Sequence, residues 1–155
     1  MRKNIKYVTA SPSWAEKLAQ FFKDIIANKD DEYFHPHPLT YEMARKIATY
    51  EGDDLYFLQI KDNEIVGYGM LRGWDEGYAI PSLGIVIHPN FRNQGLGREF
   101  MRFLHNQARA KGAAKVRLKV YFNNAGARQL YESLGYFFTD EENGQLIGYY
   151  ELQKE

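Results

Sequence analysis

The chain has 155 residues, no cysteine, 45% apolar and 15% aromatic residues, and 20 basic side chains against 20 acidic ones. This is the size of one domain, able to bury roughly 70% of the surface its unfolded form exposes, and the composition excludes disulfide frameworks, thiolate metal sites, Cys-nucleophile mechanisms and disorder. No stretch approaches the ~18 apolar residues of a membrane span, no apolar signal core follows the first residues, and the cancelled charge argues against a nucleic-acid partner; a cytoplasmic protein of one domain over residues 1–155 with no membrane partner is expected.

In chain order, Ile5-Lys6-Tyr7-Val8 reads as an opening strand. Ser11 and Pro12 then mark a helix start, as N-cap and first helical residue, with Trp14, Leu18, Phe21, Phe22, Ile25 and Ile26 at helical spacing. Residues 28–38 form a polar loop, and Thr40 caps a second helix carrying Met43 and Ile47. The period then changes. Residues 55–60 and 64–71 flank a short turn at 61–63 and predict an antiparallel hairpin. A connection over 73–81 leads to a strand at 83–88, apolar on both faces and so expected in the middle of a sheet. A Gly-rich turn, an amphipathic helix over roughly 96–111 stopped by Gly112, a strand at 115–120, a helix at 125–134 and a closing hairpin (135–138 with 146–152) complete the chain. The alternation after residue 83 implies crossover connections, an α/β class and a mixed sheet with helices on both faces.

Charge is unevenly distributed. Residues 92–119 hold eight basic side chains and one acidic, so this segment carries the positive field and an anionic ligand is the natural suspect, with a solvated basic helix as the alternative. The segment opens with Arg92-Asn93-Gln94-Gly95-Leu96-Gly97-Arg98 at the mouth of a helix, where glycines allow close backbone approach and free N–H groups point at an anion. No Gly-Lys-Ser/Thr follows, so it is not a nucleotide-hydrolase loop. Taken alone, a plain tight turn explains it equally well.

The context is more specific. Ile85-Val86-Ile87-His88-Pro89 followed by Arg92-x-x-Gly95-x-Gly97, and then Asn124-x-x-Ala127-x-x-x-Tyr131-x-x-x-Gly135-Tyr136, resembles the two signatures of the GNAT superfamily, the Gcn5-related N-acetyltransferases, in which Phe is commoner than Tyr at the last place. The order of elements resembles that family over nearly the whole chain. The resemblance implies a GNAT-like fold whose central sheet is mixed, mostly antiparallel and twisted, with acetyl-CoA as co-substrate and no metal. It implies that backbone groups of Ile85, Val86 and Ile87 pair with the pantetheine arm, that the backbone from Asn93 through Gln94, Gly95, Leu96 and Gly97 to Arg98 holds the pyrophosphate with charge from Arg92 and Arg98, and that Asn124 bonds the cofactor arm. Asn124 also reads as a plain helix N-cap.

Tyr131 shares a helix face with Ala127, Leu130 and Leu134, which fits a core tyrosine. Its chemistry also fits catalysis, since a phenol near pKa ~10 can protonate or hold a departing thiolate of pKa near ~8.5. The resemblance implies that second role. A general base is not apparent: relatives are described with Glu or Asp near the central strands, yet 83–88 has no carboxylate and Lys119 stands on the neighbouring strand. Acceptor candidates are His35 and His37 in the first loop, and Trp74, Asp75 and Glu76 in the 73–81 connection, against readings as a packing corner and a solvated turn. Together these describe an N-acetyltransferase moving acetyl directly to a small-molecule primary amine, an amino sugar or other metabolite amine, with a homodimer open as its assembly. Acetylation of a protein or peptide amine, and a non-catalytic acyl-CoA sensor, are the competing readings.

Overall fold

The computed structural model describes residues 4–152; the first residues, where a leader was sought, lie outside this range. Seven strands form one sheet in the order β1-β2-β3-β4-β5-β7-β6: β1 (Ile5–Thr9), β2 (Leu55–Lys61), β3 (Glu64–Arg72), β4 (Ser82–Ile87), β5 (Lys115–Tyr121), β6 (Phe137–Glu142) and β7 (Gln145–Glu151). Every pairing is antiparallel except β4 with β5. That exception follows from the crossover helix α3 (Leu96–Ala110) between them, which makes the two strands run the same way. No helix among the described residues is long and apolar enough to cross a membrane.

Helices α1 (Ala15–Ala27) and α2 (Tyr41–Ala48) pack on one face, where Phe22, Ile25 and Ala44 meet Leu58, Tyr68, Met70 and Val86. Helices α3 and α4 (Ala125–Leu134) take the other face, with Phe100, Met101 and Leu104 against Leu71, Leu83, Val116 and Leu118. The first of these two cores draws no residue from β5, β6 or β7 among the described residues, so α1 and α2 do not cover that half of the sheet; the loop between them reaches β5 at Tyr121.

Most predicted elements are present, with three differences. Ser11 does not cap α1: Pro12–Trp14 form a single 3-10 turn and the α-helix begins at Ala15. Thr40 does cap α2, its Oγ1 accepting from the Met43 N–H at 3.1 Å. β6 starts later and runs further than expected, because Gly135 (φ +112°) ends α4 and the Asn143-Gly144 turn lets the charged run Asp140-Glu141-Glu142 pair with β7 as a sheet edge. β4 is central, as its apolar faces predict, yet Ile85 and Ile87 are only half-buried because β5 leaves it after one pairing.

One buried polar contact carries a pH dependence. His105 of α3 is 4% exposed, stacks on Tyr150 at 4.2 Å and shares a 2.7 Å hydrogen bond with the Tyr136 hydroxyl. Burial, with Arg109 and Arg102 adding to it, pulls its pKa down to about 4. The folded protein therefore takes up this proton later than the unfolded chain does as pH falls. Stability should be full above about pH 6.5 and fall by about 1.4 kcal/mol per pH unit between there and about pH 4. His37, whose pKa burial also lowers, acts in the same direction. Melting curves from pH 7.5 to 5.0 check this; a flat profile would mean both imidazoles take up protons in the fold as they do in the unfolded chain.

Candidate functional site

β4 and β5 are joined at Ser82 and Arg117, where the Arg117 N–H donates to the Pro81 carbonyl at 2.9 Å, and they part beyond that point. The ladder decides which groups face the gap. The His88 N–H donates to the Val66 carbonyl at 2.8 Å. Main-chain groups alternate sides along a strand, so Val86, paired with Tyr68, also directs its N–H and C=O to β3, while Ile85 and Ile87 direct theirs to the gap. Of the three strand residues expected to meet an extended arm, Val86 is thus engaged in the sheet. The Ile87 carbonyl is also taken, accepting from Arg92 Nε at 3.0 Å and Nη2 at 2.8 Å.

The gap opens into a cleft of about 620 Å³ lined by Ile85, Val86, Ile87, Arg92, Asn93, Gly95, Leu96, Gly97, Arg98, Asn124 and Tyr131. Gln94 is exposed and does not line it. At the cleft's end, Asn93 (φ +62°) and Gly95 (φ +81°) both adopt the left-handed conformation, which Asn tolerates and Gly favours, and this turns the chain into the first turn of α3. The N–H groups of Leu96, Gly97 and Arg98 have no intrahelical acceptor, so an anion can dock on them. A Cβ on Gly97 would lie 3.6 Å from Leu130 and 3.8 Å from Ile87, so glycine there leaves open the space between α3 and α4.

The two arginines expected to add charge are both engaged. Besides Ile87, Arg92 meets Asp30 in a two-pronged pair at 3.2 and 2.8 Å, tying the first loop to the cleft mouth. Arg98 donates to Ser133 Oγ of α4 at 2.8 Å. Asn124 caps α4, its Oδ1 accepting from the Ala127 N–H at 3.4 Å, while its position on the cleft wall keeps it available to a ligand. Tyr131 is half-buried, its ring against Tyr136 at 5.7 Å, and burial raises its pKa to about 12. Its hydroxyl has no hydrogen-bond partner among the described residues. Lys119, on the opposite wall, is paired with Glu142 at 3.1 Å.

The acceptor candidates separate. His35 Nε2 meets the Tyr121 hydroxyl at 2.7 Å. His37 lies 2.8 Å from the Pro38 carbonyl through Nδ1 and 2.8 Å from the Tyr68 hydroxyl through Nε2, so Nδ1 carries the proton and Nε2 accepts from Tyr68. Both histidines are hydrogen-bonded to fold tyrosines. Trp74 packs into the second core under the Lys111 ammonium, 4.5 Å from its ring. Asp75 and Glu76 do line a second, larger cavity of about 840 Å³ at the Ser82 end of β4. Asp75 there accepts from the Tyr50 hydroxyl and, at 2.8 Å, from the Asp53 N–H; the Tyr50 bond is the first cause of its lowered pKa. Sequence reasoning missed four other walls of this cavity, Tyr56, Arg72, Arg117 and Tyr149, which lie on four separate strands and meet only through strand register.

A family model described as acetyltransferase (GNAT) family matches residues 18–136. A [Ribosomal protein bS18]-alanine N-acetyltransferase of Escherichia coli (strain K12) is 40% identical over 52 residues, 34% of this chain; the match spans about a third (35%) of that relative's length. Among solved structures, the GNAT domain of S. lividans PAT superposes with a TM-score of 0.82 at 14% identity, covering 95% of this chain and 90% of that one. The PaiA N-acetyltransferase from Thermoplasma acidophilum, solved in complex with coenzyme A, gives 0.77 at 14% identity over 95% and 98%.

Proposed function

This chain belongs to the acetyltransferase (GNAT) family, and we propose that it transfers an acetyl group from acetyl-CoA to the primary amine of a small molecule by direct attack in a ternary complex. The observation that carries this reading is the convergence, in one cleft, of an unpaired strand edge at Ile85, a helix N-terminus at Leu96–Arg98, and a tyrosine hydroxyl without a partner. An extended amide-bearing arm pairs with the first as an added strand would, and a pyrophosphate docks on the second. The Ile85 N–H, turned to the gap, polarises the thioester carbonyl. Acetyl-CoA supplies the activated acyl carbon: the amine nitrogen bonds to it, the C–S bond breaks, and the proton released from nitrogen passes to sulfur or solvent.

The role of Tyr131 follows from its raised pKa. A phenol raised to about 12 by burial stands above the ordinary range of a thiol, so complete proton transfer to the leaving thiolate is uphill. Tyr131 therefore acts mainly by donating a hydrogen bond to the sulfur as charge develops there. Arg92, whose charge Asp30 matches, braces the cleft mouth, and the helix terminus and Arg98 supply the positive field.

Acetyl-CoA at a hundred times its dissociation constant should add ~2.7 kcal/mol, a rise in melting temperature of several degrees, with phosphate at equal ionic strength as control. Thiol release with an amine panel then separates an enzyme from a silent acyl-CoA sensor. No rise with acetyl-CoA would remove both. A second reading, a protein α-amine as acceptor, draws support from the relative named for a ribosomal protein alanine. Acetylation of N-terminal peptides in preference to free amines would favour it.

A further inference from the structure

Strand register builds a row across the exposed half of the sheet. Arg72 of β3 pairs with Ser82 of β4, Ser82 with Arg117 of β5, and Arg117 with Tyr149 of β7. Cross-strand partners share a face, so these four side chains stand side by side, on the face that α1 and α2 leave uncovered beyond β4. All four line the 840 Å³ cavity.

The charges of this row are unmatched. The other cations of β5 have carboxylates: Lys115 lies 3.7 Å from Glu151 and Lys119 3.1 Å from Glu142. Arg117 has none within 4.0 Å among the described residues; its guanidinium makes a long 3.5 Å contact with Ser82 Oγ. Arg72 donates to a neutral group, the Pro36 carbonyl at 3.0 Å, and likewise has no carboxylate within 4.0 Å among the described residues. Three acids, Asp54, Asp75 and Glu76, also line the cavity, and none pairs with either guanidinium within 4.0 Å among the described residues. Asp54 accepts from the N–H groups of Gly73, Trp74 and Asp75 at 3.0, 2.8 and 3.2 Å, and Asp75 from Tyr50 and Asp53. Two half-buried guanidiniums two strands apart, roughly 10 Å between backbones, repel each other and present planar donor forks suited to an oxyanion.

We propose that the acceptor amine carries an anionic group, a carboxylate or a phosphate, which Arg117 and Arg72 hold while the amine is directed along β4 toward the thioester. This rests on the reading of the chain as an N-acetyltransferase. Ser82 stands three residues before Ile85, about 10 Å along the strand, so a small acceptor spans the distance between anion and amine. Tyr56 and Tyr149 wall the cavity beside the guanidiniums, while Asp54, Asp75 and Glu76 line its other side, so the anionic group is placed at the Arg72–Arg117 end and the amine away from it.

The test measures kcat/KM by thiol release for two matched pairs, L-phenylalanine against L-phenylalaninamide and O-phosphoethanolamine against ethanolamine, with spermidine as fifth acceptor. The anionic member of at least one pair should exceed its neutral partner tenfold or more, and which pair responds identifies carboxylate or phosphate. Arg117→Met should bring that ratio close to one, and Arg117→Lys should restore part of it, with the acetyl-CoA-induced rise in melting temperature serving as the folding control. A preference for the neutral members or spermidine, or a ratio that survives Arg117→Met, overturns the anion assignment alone. Absence of thiol release with all five amines, while acetyl-CoA still raises the melting temperature, overturns it together with the small-molecule acceptor reading.

Discussion

Replacing Tyr131 by Phe should lower turnover ten- to a hundredfold while leaving the affinity for acetyl-CoA as it was. The ring keeps its place against Tyr136, so packing changes little, and what is lost is one hydroxyl that faces the cleft without a partner. A hydrogen bond to a charged group contributes about 1.5–3 kcal/mol, and each 1.36 kcal/mol is a decade in rate. Because the bond matters only once negative charge reaches sulfur, the loss belongs in kcat, with the KM for acetyl-CoA unmoved. The raised pKa adds a second signature. With the phenol pushed up to about 12, the wild-type rate should show no basic limb from this group below about pH 11. Steady-state thiol release across pH measures both. Unchanged turnover in the variant would show the hydroxyl idle, and a loss confined to KM would make Tyr131 a wall of the binding cleft.

The parts of this site that were legible in the sequence are those carried by local chain geometry. Gly95 at a positive φ, the helix that follows it and the Asn124 cap each lie within a few residues, and motif spacing reports them directly. What spacing does not report is where a side chain's charge ends up. Arg92 and Arg98 sit in the motif as expected, yet Asp30, 62 residues earlier, neutralises one, and Ser133 holds the other. His35 and His37 read as candidate acceptor groups because imidazoles titrate near neutrality, and each is bonded to a tyrosine of a distant strand. The Val86 main chain is excluded from the gap by the phase of the β3 ladder, a fact of register. The arginine row is the extreme case: Arg72, Ser82 and Arg117 are scattered in sequence, and only the β3–β4 ladder together with the single β4–β5 pairing brings them into line.

The second large effect lies in the core that positions the helix. Phe100→Ala should cost about 3–5 kcal/mol, since the side chain is fully buried and its removal leaves a cavity in addition to the lost transfer energy. At 2–4 °C per kcal/mol for a chain of this size, melting falls by roughly 6–20 °C. The ring lies directly over β3, where a Cβ on Gly69 would stand 2.7 Å from Phe100 Cζ and one on Gly67 would stand 3.1 Å from Cδ2. Glycine at these two positions is therefore what lets α3 approach the sheet. One turn earlier, Gln59 Nε2 donates to the Leu96 carbonyl at 3.1 Å, so the Leu96–Arg98 anion site is held by these two contacts. Phe100→Ala should then weaken acetyl-CoA binding although Phe100 does not line the cleft. Gly69→Ala tests the geometry independently. Alone it forces the ring away and destabilises; combined with Phe100→Ala its Cβ enters the vacated space. The double variant should thus be more stable than the sum of the two single losses predicts, by more than the ~0.5 kcal/mol within which independent sites add. Strict additivity in denaturant melts would mean that the ring and Gly69 do not compete for one volume, and that the helix N-terminus is placed by other contacts.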